Sequence, residues 1–552
     1  MRKRAPKREE EKNYWLCPRR ATKERKYKMS EVKKGLFHDW VPKPVGLLVL
    51  LVLTLTVLTT NGLYTANITD MVGGLGTLAE YLTMANFASS IGMVVAFPLL
   101  LKVKSQVRTR HILLICLSAT AALTLLCAHT TSPQVMILAN FLLGTFKMFA
   151  MMEVIIPVMG MISPDGNRGR FYAVFYPISI IAGQASAYFT AQLAYDYNWQ
   201  LVYYFMLPGL LLSLALVTVF YHNERSIPKA PWTGVDWLSL LQLSGFLMLL
   251  NYILCFAKVE DYFNSLYIQG ACLAFVVLVL WFIRRQFTLA QPLLNLAILK
   301  RRNVWGALLM VFLVGLFMGT GSIQSALTVG ILKFNPVTNA QINLWMVPGI
   351  VAGGFFLFFW NKYQRRLKEM VLVGFGVYTL AHVVMYVNVH PGAGVQDFYL
   401  ASAMKGFGMV VLFATLGVYA ADKLQMQEMF TASTFLIIFR SFVGPAFFSA
   451  LVSYGMYHGQ IDNLNQLAQN MDALHPAVAA RALASGVQGL YGSVTVQAVL
   501  LTVQEMLGYV ILAGGAILAG VAVFRFGKIN RRKLVNWRKK WRAAVAFQTI
   551  TS

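Results

Sequence analysis

The sequence predicts an all-α, polytopic membrane protein with about fourteen transmembrane helices. Three observations carry this expectation. Hydrophobic residues make up 57% of the chain and charged residues only 13%, about half the charged share of a soluble domain. The apolar residues lie in long runs, and roughly 20 of them suffice to cross a bilayer as a helix. Inside lipid a backbone must satisfy its own hydrogen bonds, so each such run reads as a helix.

The expected spans are 45–67, 78–102, 111–130, 134–162, 170–194, 199–221, 235–257, 266–286, 304–332, 338–361, 369–390, 398–421, 429–457 and 505–526. Basic residues orient them. With the amino terminus inside, 42 of the 48 Lys and Arg fall in the two tails and the inside loops. Only Lys258, Lys333 and Arg481 fall outside, and Lys147, Lys405 and Arg440 lie within spans. This asymmetry follows the positive-inside rule and places both termini in the cytoplasm. It also accounts for the net charge of +26 without a nucleic-acid partner.

The amino tail 1–44 and the carboxyl tail 527–552 are basic and polar. No cleavable signal peptide is expected, because the first apolar run is too long for one. Met29 opens MSEVKKGLFHDW, which reads as a natural start, with 1–28 as an extension. An outside segment, 458–504, is rich in Asn, Gln and Ala around Pro476 and looks partly helical and weakly apolar. Cys17, Cys116, Cys127, Cys255 and Cys272 show no metal-ligand spacing and no disulfide framework. The eight histidines are scattered, without HExxH or paired in-span carboxylates, which argues against an enzyme.

Several short stretches resemble one family in order and spacing. Arg168-Gly169-Arg170 opens the fifth span. Trp199, Tyr203, Phe205, Pro208 and Gly209 open the sixth, and Val235-Asp236-Trp237 the seventh. Pro292-Leu293-Leu294 and Arg302-Asn303 lead into the second half, and Arg440 with Gly444 lies in the thirteenth span. From about residue 45 to 527 the chain resembles the fourteen-span drug–proton antiporter branch of the major facilitator superfamily, the EmrB/QacA type. The resemblance implies an N-terminal six-helix bundle (45–221), two inserted helices (235–286) and a C-terminal six-helix bundle (304–526). It implies parallel repeats with a substrate site near the midplane and an inner (cytoplasmic) membrane setting in a bacterium. No cofactor and no metal are expected. Some members of the family work with a membrane-fusion adaptor and an outer-membrane channel, and 458–504 could serve such docking. The chain departs from the family pattern after the second span, which reads Lys102-Val103-Lys104-Ser105-Gln106-Val107-Arg108 without the Gly and Asp. Asn61 stands at the place of a first-span Asp, Asn140 precedes Gly144 where an Arg is usual, and the Gly-Pro pair of the fifth span stands at Gly444-Pro445.

Ionisable residues within spans are functional candidates by default. Glu153 is the deep carboxylate and the proton-coupling candidate, with a structural pair to Arg440 or Lys405 as the competing reading. Lys147, Lys405 and Arg440 join Asn61, Tyr64, Asn67, Gln184, Gln324 and His382 as substrate-cavity candidates. For the lone polar residues, interhelical hydrogen bonding is the alternative. Lys102, Lys104, Arg108, Arg168 and Arg170 are gating-loop candidates. Gly183, Ala187 and Ala191 form a small-residue face for close helix packing. Pro177 and Pro445 should kink their spans. The expected function is proton-coupled export of amphipathic small molecules by alternating access. The alternatives are an uptake symporter of an organic anion and a receptor or scaffold without transport. Three positive groups against one negative favour an anionic amphipath.

Overall fold

The computed structural model describes residues 36–59, 68–163, 168–223, 236–289, 291–362, 366–422, 424–469, 471, 475–524 and 526. Residues 1–35 of the amino tail with the Met29 start, the carboxyl tail 527–552, and Asn61, Tyr64 and Asn67 lie outside the described residues. Among the described residues fourteen main helices follow in order. They are α1 (Lys43–Thr59), α2 (Ala79–Gln106), α3 (Thr109–His129), α4 (Pro133–Ile162), α5 (Arg168–Asp196), α6 (Leu201–Phe220) and α7 (Trp237–Phe256). Then come α8 (Leu266–Thr288), α9 (Arg302–Ile331), α10 (Pro336–Trp360), α11 (Leu367–Val387), α12 (Val395–Ala420), α13 (Glu428–Gln469) and α14 (Pro476–Val523). Twelve are long and apolar enough to cross a membrane. The other two are α1, described over 17 residues, and α5, whose 29 residues include Arg168, Arg170, Gln184 and Gln192. The total is consistent with the expected fourteen.

Large apolar side chains face outward, as lipid requires. Leu266, Leu273, Leu280 and Phe287 recur every seven residues along α8 and are 81, 69, 61 and 68% exposed. In water such a stripe would be a liability. In a bilayer it is the surface of the protein.

One close helix pair occurs twice, eight helices apart. At the α2–α4 crossing a Cβ on Gly144 would lie 2.7 Å from the Ser89 carbonyl carbon. At the α10–α12 crossing a Cβ on Gly349 would lie 2.5 Å from the Ala403 carbonyl carbon. Only glycine lets these backbones approach so closely, the usual device for packing helices in lipid. Between these two pairs runs a seam. On one side α5 meets α10, where a Cβ on Gly354 would touch Pro177 Cγ at 2.9 Å. On the other, α2 meets α13 through Ile91, Val95, Ile438, Phe442 and Ala446, with the Phe87 and Phe442 rings 5.8 Å apart.

The α7–α8 hairpin leans on that second side. Asn251 Nδ2 donates to the Met84 carbonyl of α2 at 2.9 Å, and Tyr262 stacks edge-on against Tyr454 of α13 at 5.0 Å. Asp236 caps α7 by accepting from Ser239 N, and Arg285 of α8 donates to it at 2.8 and 3.1 Å. Burial works against ionisation of Asp236, but the bonds from Arg285 and Ser239 prevail and hold the carboxyl down at about 2.

Two spans are interrupted. In α9 the α-helix stops at Met318 and resumes at Gly321–Ser325, followed by a π-turn over Ala326–Ile331. In α13 a π-turn over Phe439–Val443 precedes Gly444-Pro445. Pro445 cannot donate to a carbonyl one turn back, and the wider turn absorbs that loss.

The segment 458–504, expected to be partly helical, is helix over most of its described residues. The thirteenth helix runs on to Gln469, and the last begins at Pro476. At 1.5 Å per residue the 42 residues of α13 reach about 63 Å, twice the bilayer core. The extensions cover each other. Asn463 Nδ2 donates to Thr502 Oγ1 and Glu505 Oε2, both at 3.0 Å, and Gly455 and Gly459 admit Met506 and Thr502. Gly486, at φ 70°, bends the last helix where other residues would be strained.

Candidate functional site

The described ion pairs and hydrogen bonds place Glu153, Lys405 and Arg440 in three separate settings. Arg440 lies in the α13 π-turn and is half-buried. Its Nη1 donates to Tyr176 Oη of α5 at 2.7 Å. The guanidinium also lies over the Tyr176 and Phe413 rings, 5.3 and 5.4 Å from their centroids, within the range of cation–π attraction. Arg440 thus ties α13 and α12 to α5 across the seam.

Lys405 of α12 is 8% exposed. Its Nζ donates to Gln324 Oε1 at 3.1 Å and approaches Met385 Sδ at 3.7 Å. Gln324, beside the break in α9, turns its amide nitrogen toward Asn339 Oδ1 (3.2 Å) and Asn343 Oδ1 (3.0 Å) of α10. Thr328 adds a bond to Asn339 at 3.1 Å. One turn from this cluster His382 is fully buried. Its Nδ1 donates to the Tyr378 carbonyl at 2.9 Å, and Nε2 meets Thr320 Oγ1 at 3.1 Å.

Glu153 is 1% exposed, and its Oε2 accepts from Lys104 Nζ at 3.0 Å. Its partner is therefore a gating-loop candidate, neither Arg440 nor Lys405. The pair lies within one cluster of α1, α3, α4 and α6, beside Cys116 and Tyr221. Glu153 Oε1 and Tyr221 Oη are buried there without a described hydrogen-bond partner. Lys147 is buried on α4, three residues beyond the Gly144 crossing. Asn140 donates to the Met136 carbonyl of its own helix at 2.8 Å.

At the end bearing the basic loops, contacts bridge the seam again. Arg168 Nη1 of α5 donates to the Ala421 carbonyl after α12 at 3.4 Å. Phe97 of α2 faces Phe430 of α13 at 5.9 Å. Arg108 and Arg170 are exposed. Lys102 lines a cavity of about 180 Å³ with Pro98, Asp236 and Pro292. Gln184 is half-buried on α5. Ala187 and Ala191 are packed, but a Cβ on Gly183 would meet nothing within 4 Å, so the small-residue contact stops at Ala187.

Sequence reasoning did not single out Tyr176, Thr320, Thr328, Asn339 or Asn343. Asn339 and Asn343 did carry a signal, since i and i+4 share a helix face.

The family model described as Major Facilitator Superfamily matches residues 49–449. The chain belongs to the major facilitator superfamily. It is therefore a multi-pass membrane transporter of small molecules, not an enzyme. Within the superfamily it is similar to the "Colistin resistance protein EmrB" of Acinetobacter baumannii, 22% identical over 418 residues, covering 74% of this chain and 78% of that protein. Solved structures share the fold at low identity. A mutant of the peptide transporter POT with alafosfalin matches at TM-score 0.52 and 12% identity, over 90% of this chain and 99% of that one. A mutant of the nucleoside transporter NupG matches at TM-score 0.50 and 11% identity, over 85 and 99%.

Proposed function

We propose that the chain is a proton-coupled carrier that exports amphipathic small molecules by alternating access. The observation that carries the reading is the seam itself. The repeated α2–α4 and α10–α12 pairs flank it, and Arg440 reaches across it to Tyr176. Contacts of this kind can break and re-form as two rigid units rock about a midplane site. We assign α1–α6 and α9–α14 to those units and α7–α8 to the insertion between them. Export as the direction follows the similarity to the colistin resistance protein.

Glu153 is the coupling residue of this proposal. One carboxylate oxygen holds Lys104 at the loop end of α2, and the other has no described partner. Protonation of Glu153 would release Lys104, and with it the end of α2 that faces α13 through Phe97 and Phe430. The inner-membrane setting with cytoplasmic termini rests on the charge asymmetry. The α13–α14 extension, on the face poor in basic residues, is the surface proposed for a membrane-fusion adaptor.

The test uses the full chain in proteoliposomes. A proton gradient should drive accumulation of an amphipathic substrate, and Glu153→Gln should abolish uphill transport while counterflow persists. Full proton-driven transport in Glu153→Gln would remove Glu153 from the coupling step.

A further inference from the structure

Lys405 is a buried cation with an incomplete set of partners. Its ammonium has three hydrogens to donate. The described acceptors are one amide oxygen, Gln324 Oε1, and one thioether, Met385 Sδ. Among the described residues it forms no ion pair. A charge taken out of water without a counter-ion costs several kcal/mol unless something compensates it. The neighbours do not neutralise it. They orient it: Asn339 and Asn343 take both amide-hydrogen contacts of Gln324, which leaves Gln324 Oε1 to face Lys405.

The backbone at this place is also irregular. Gln324 sits in the short α-helical piece Gly321–Ser325, between the stop at Met318 and the π-turn Ala326–Ile331. Broken helices within a membrane are tolerated where they are buried in protein or line a cavity, and in carriers they line substrate sites. The rim is accessible. Asn339 and Asn343 are half-buried, and α10, which bears them, packs against α5 on the seam. Six residues before Lys405 on α12, about 9 Å along the axis, Tyr399 stacks on Trp345 with ring centroids 4.3 Å apart. Trp345 is 41% exposed. Six residues also turn the helix by about 240°, so Tyr399 and Lys405 face about 120° apart, and a ligand joining the ring pair to the lysine wraps part of the way round α12.

We propose that Lys405 and Gln324 anchor the acidic head of an organic anion, a carboxylate, sulfonate or phosphate, whose apolar part rests on Trp345 and Tyr399. The anion supplies the counter-ion that the fold withholds. This names the substrate class of the carrier proposed above and rests on that reading.

The test reconstitutes the full chain in vesicles of phosphatidylcholine alone. Its probes are matched: 2-naphthalenesulfonate and 2-naphthyltrimethylammonium. Binding and counterflow are measured for both. The sulfonate should bind, and Lys405→Met should weaken it at least about tenfold. Gln324→Glu keeps the lysine but gives it an internal carboxylate, and should weaken the sulfonate as strongly. Lys405→Arg should stay within about threefold of the wild type, and the ammonium probe should not weaken in any variant. Sulfonate binding unchanged in both Lys405→Met and Gln324→Glu would overturn the proposal. So would displacement of the sulfonate by added phosphatidylglycerol without any sulfonate counterflow, since Lys405 would then hold a lipid headgroup. Counterflow of the ammonium without binding of the sulfonate would sink the anion site and leave the carrier standing. Lys405-dependent sulfonate binding with no counterflow of either probe would do the reverse.

Discussion

Gly349→Ala probes the geometry on which the carrier reading depends. The added methyl would lie 2.5 Å from the carbonyl carbon of Ala403. The Ala403 carbonyl oxygen is nearer still, and carbon atoms in contact sit at about 3.5–4.0 Å, so α10 and α12 must part by at least about 1 Å at the crossing. Around it Ile350, Met346 and Val410 are buried in one cluster. If roughly 30 carbon pairs there each lose about a third of ~0.15 kcal/mol, the loss is about 1.5 kcal/mol. Overpacking of well-packed interiors costs about 1–3 kcal/mol by direct measurement, and the two routes agree. Gly183→Ala is the control, because a Cβ there meets nothing within 4 Å, and it should change stability by less than about 0.5 kcal/mol. The assay is thermal unfolding in detergent, read by a thiol-reactive fluorophore. Cys116 and Cys127 are free and buried, so they report on opening of the fold. Gly349→Ala should melt several degrees early. Gly144→Ala, at the repeated crossing, should do the same. Wild-type melting of both, or early melting of Gly183→Ala, would refute the packing argument.

Other outcomes follow from the same geometry. Single cysteines placed at Ser226 and Asn470 should label from opposite sides of the membrane; labelling from one side would break the fourteen-span topology. Tyr176→Phe deletes the acceptor of the Arg440 bond, worth about 1.5–3 kcal/mol for a charged donor. Spin-label distances between α5 and α13 should broaden in that variant, and an unchanged distribution would make the bond incidental. Asp236 is held down at about 2 in the folded chain, against about 3.9 unfolded. Its contribution is therefore complete above about pH 4 and fades as pH falls toward 2. Asp236→Asn should cost on the order of 1 kcal/mol at neutral pH, discounted for solvent around Arg285, with no change in that loss between pH 8 and 5. A chain beginning at Met29 should insert and transport normally, and loss of either activity would give the amino tail a role.

The sequence by itself determined the helical membrane fold and the approximate position of most of its long apolar helices. These are legible because lipid imposes a local rule. Each apolar run must close its own backbone hydrogen bonds, and each loop carries its charge in plain sight. The order of short motifs, from Arg168-Gly169-Arg170 to Arg440 and Gly444, was enough to point to the superfamily. The charged residues in spans could be listed from sequence, but not their partners. Glu153 meets Lys104 across 49 residues, Lys405 meets Gln324 across 81, and Arg440 meets Tyr176 across 264. No periodicity links positions so far apart, because the rotation of each helix and its tilt against its neighbours decide which faces touch. The reach of α13 was hidden for a related reason. Its extension to Gln469 is too polar to read as a span, and its helix persists beside the last one, where Asn463 bonds to Thr502 and Glu505. Packing between distant segments, not local composition, set those contacts.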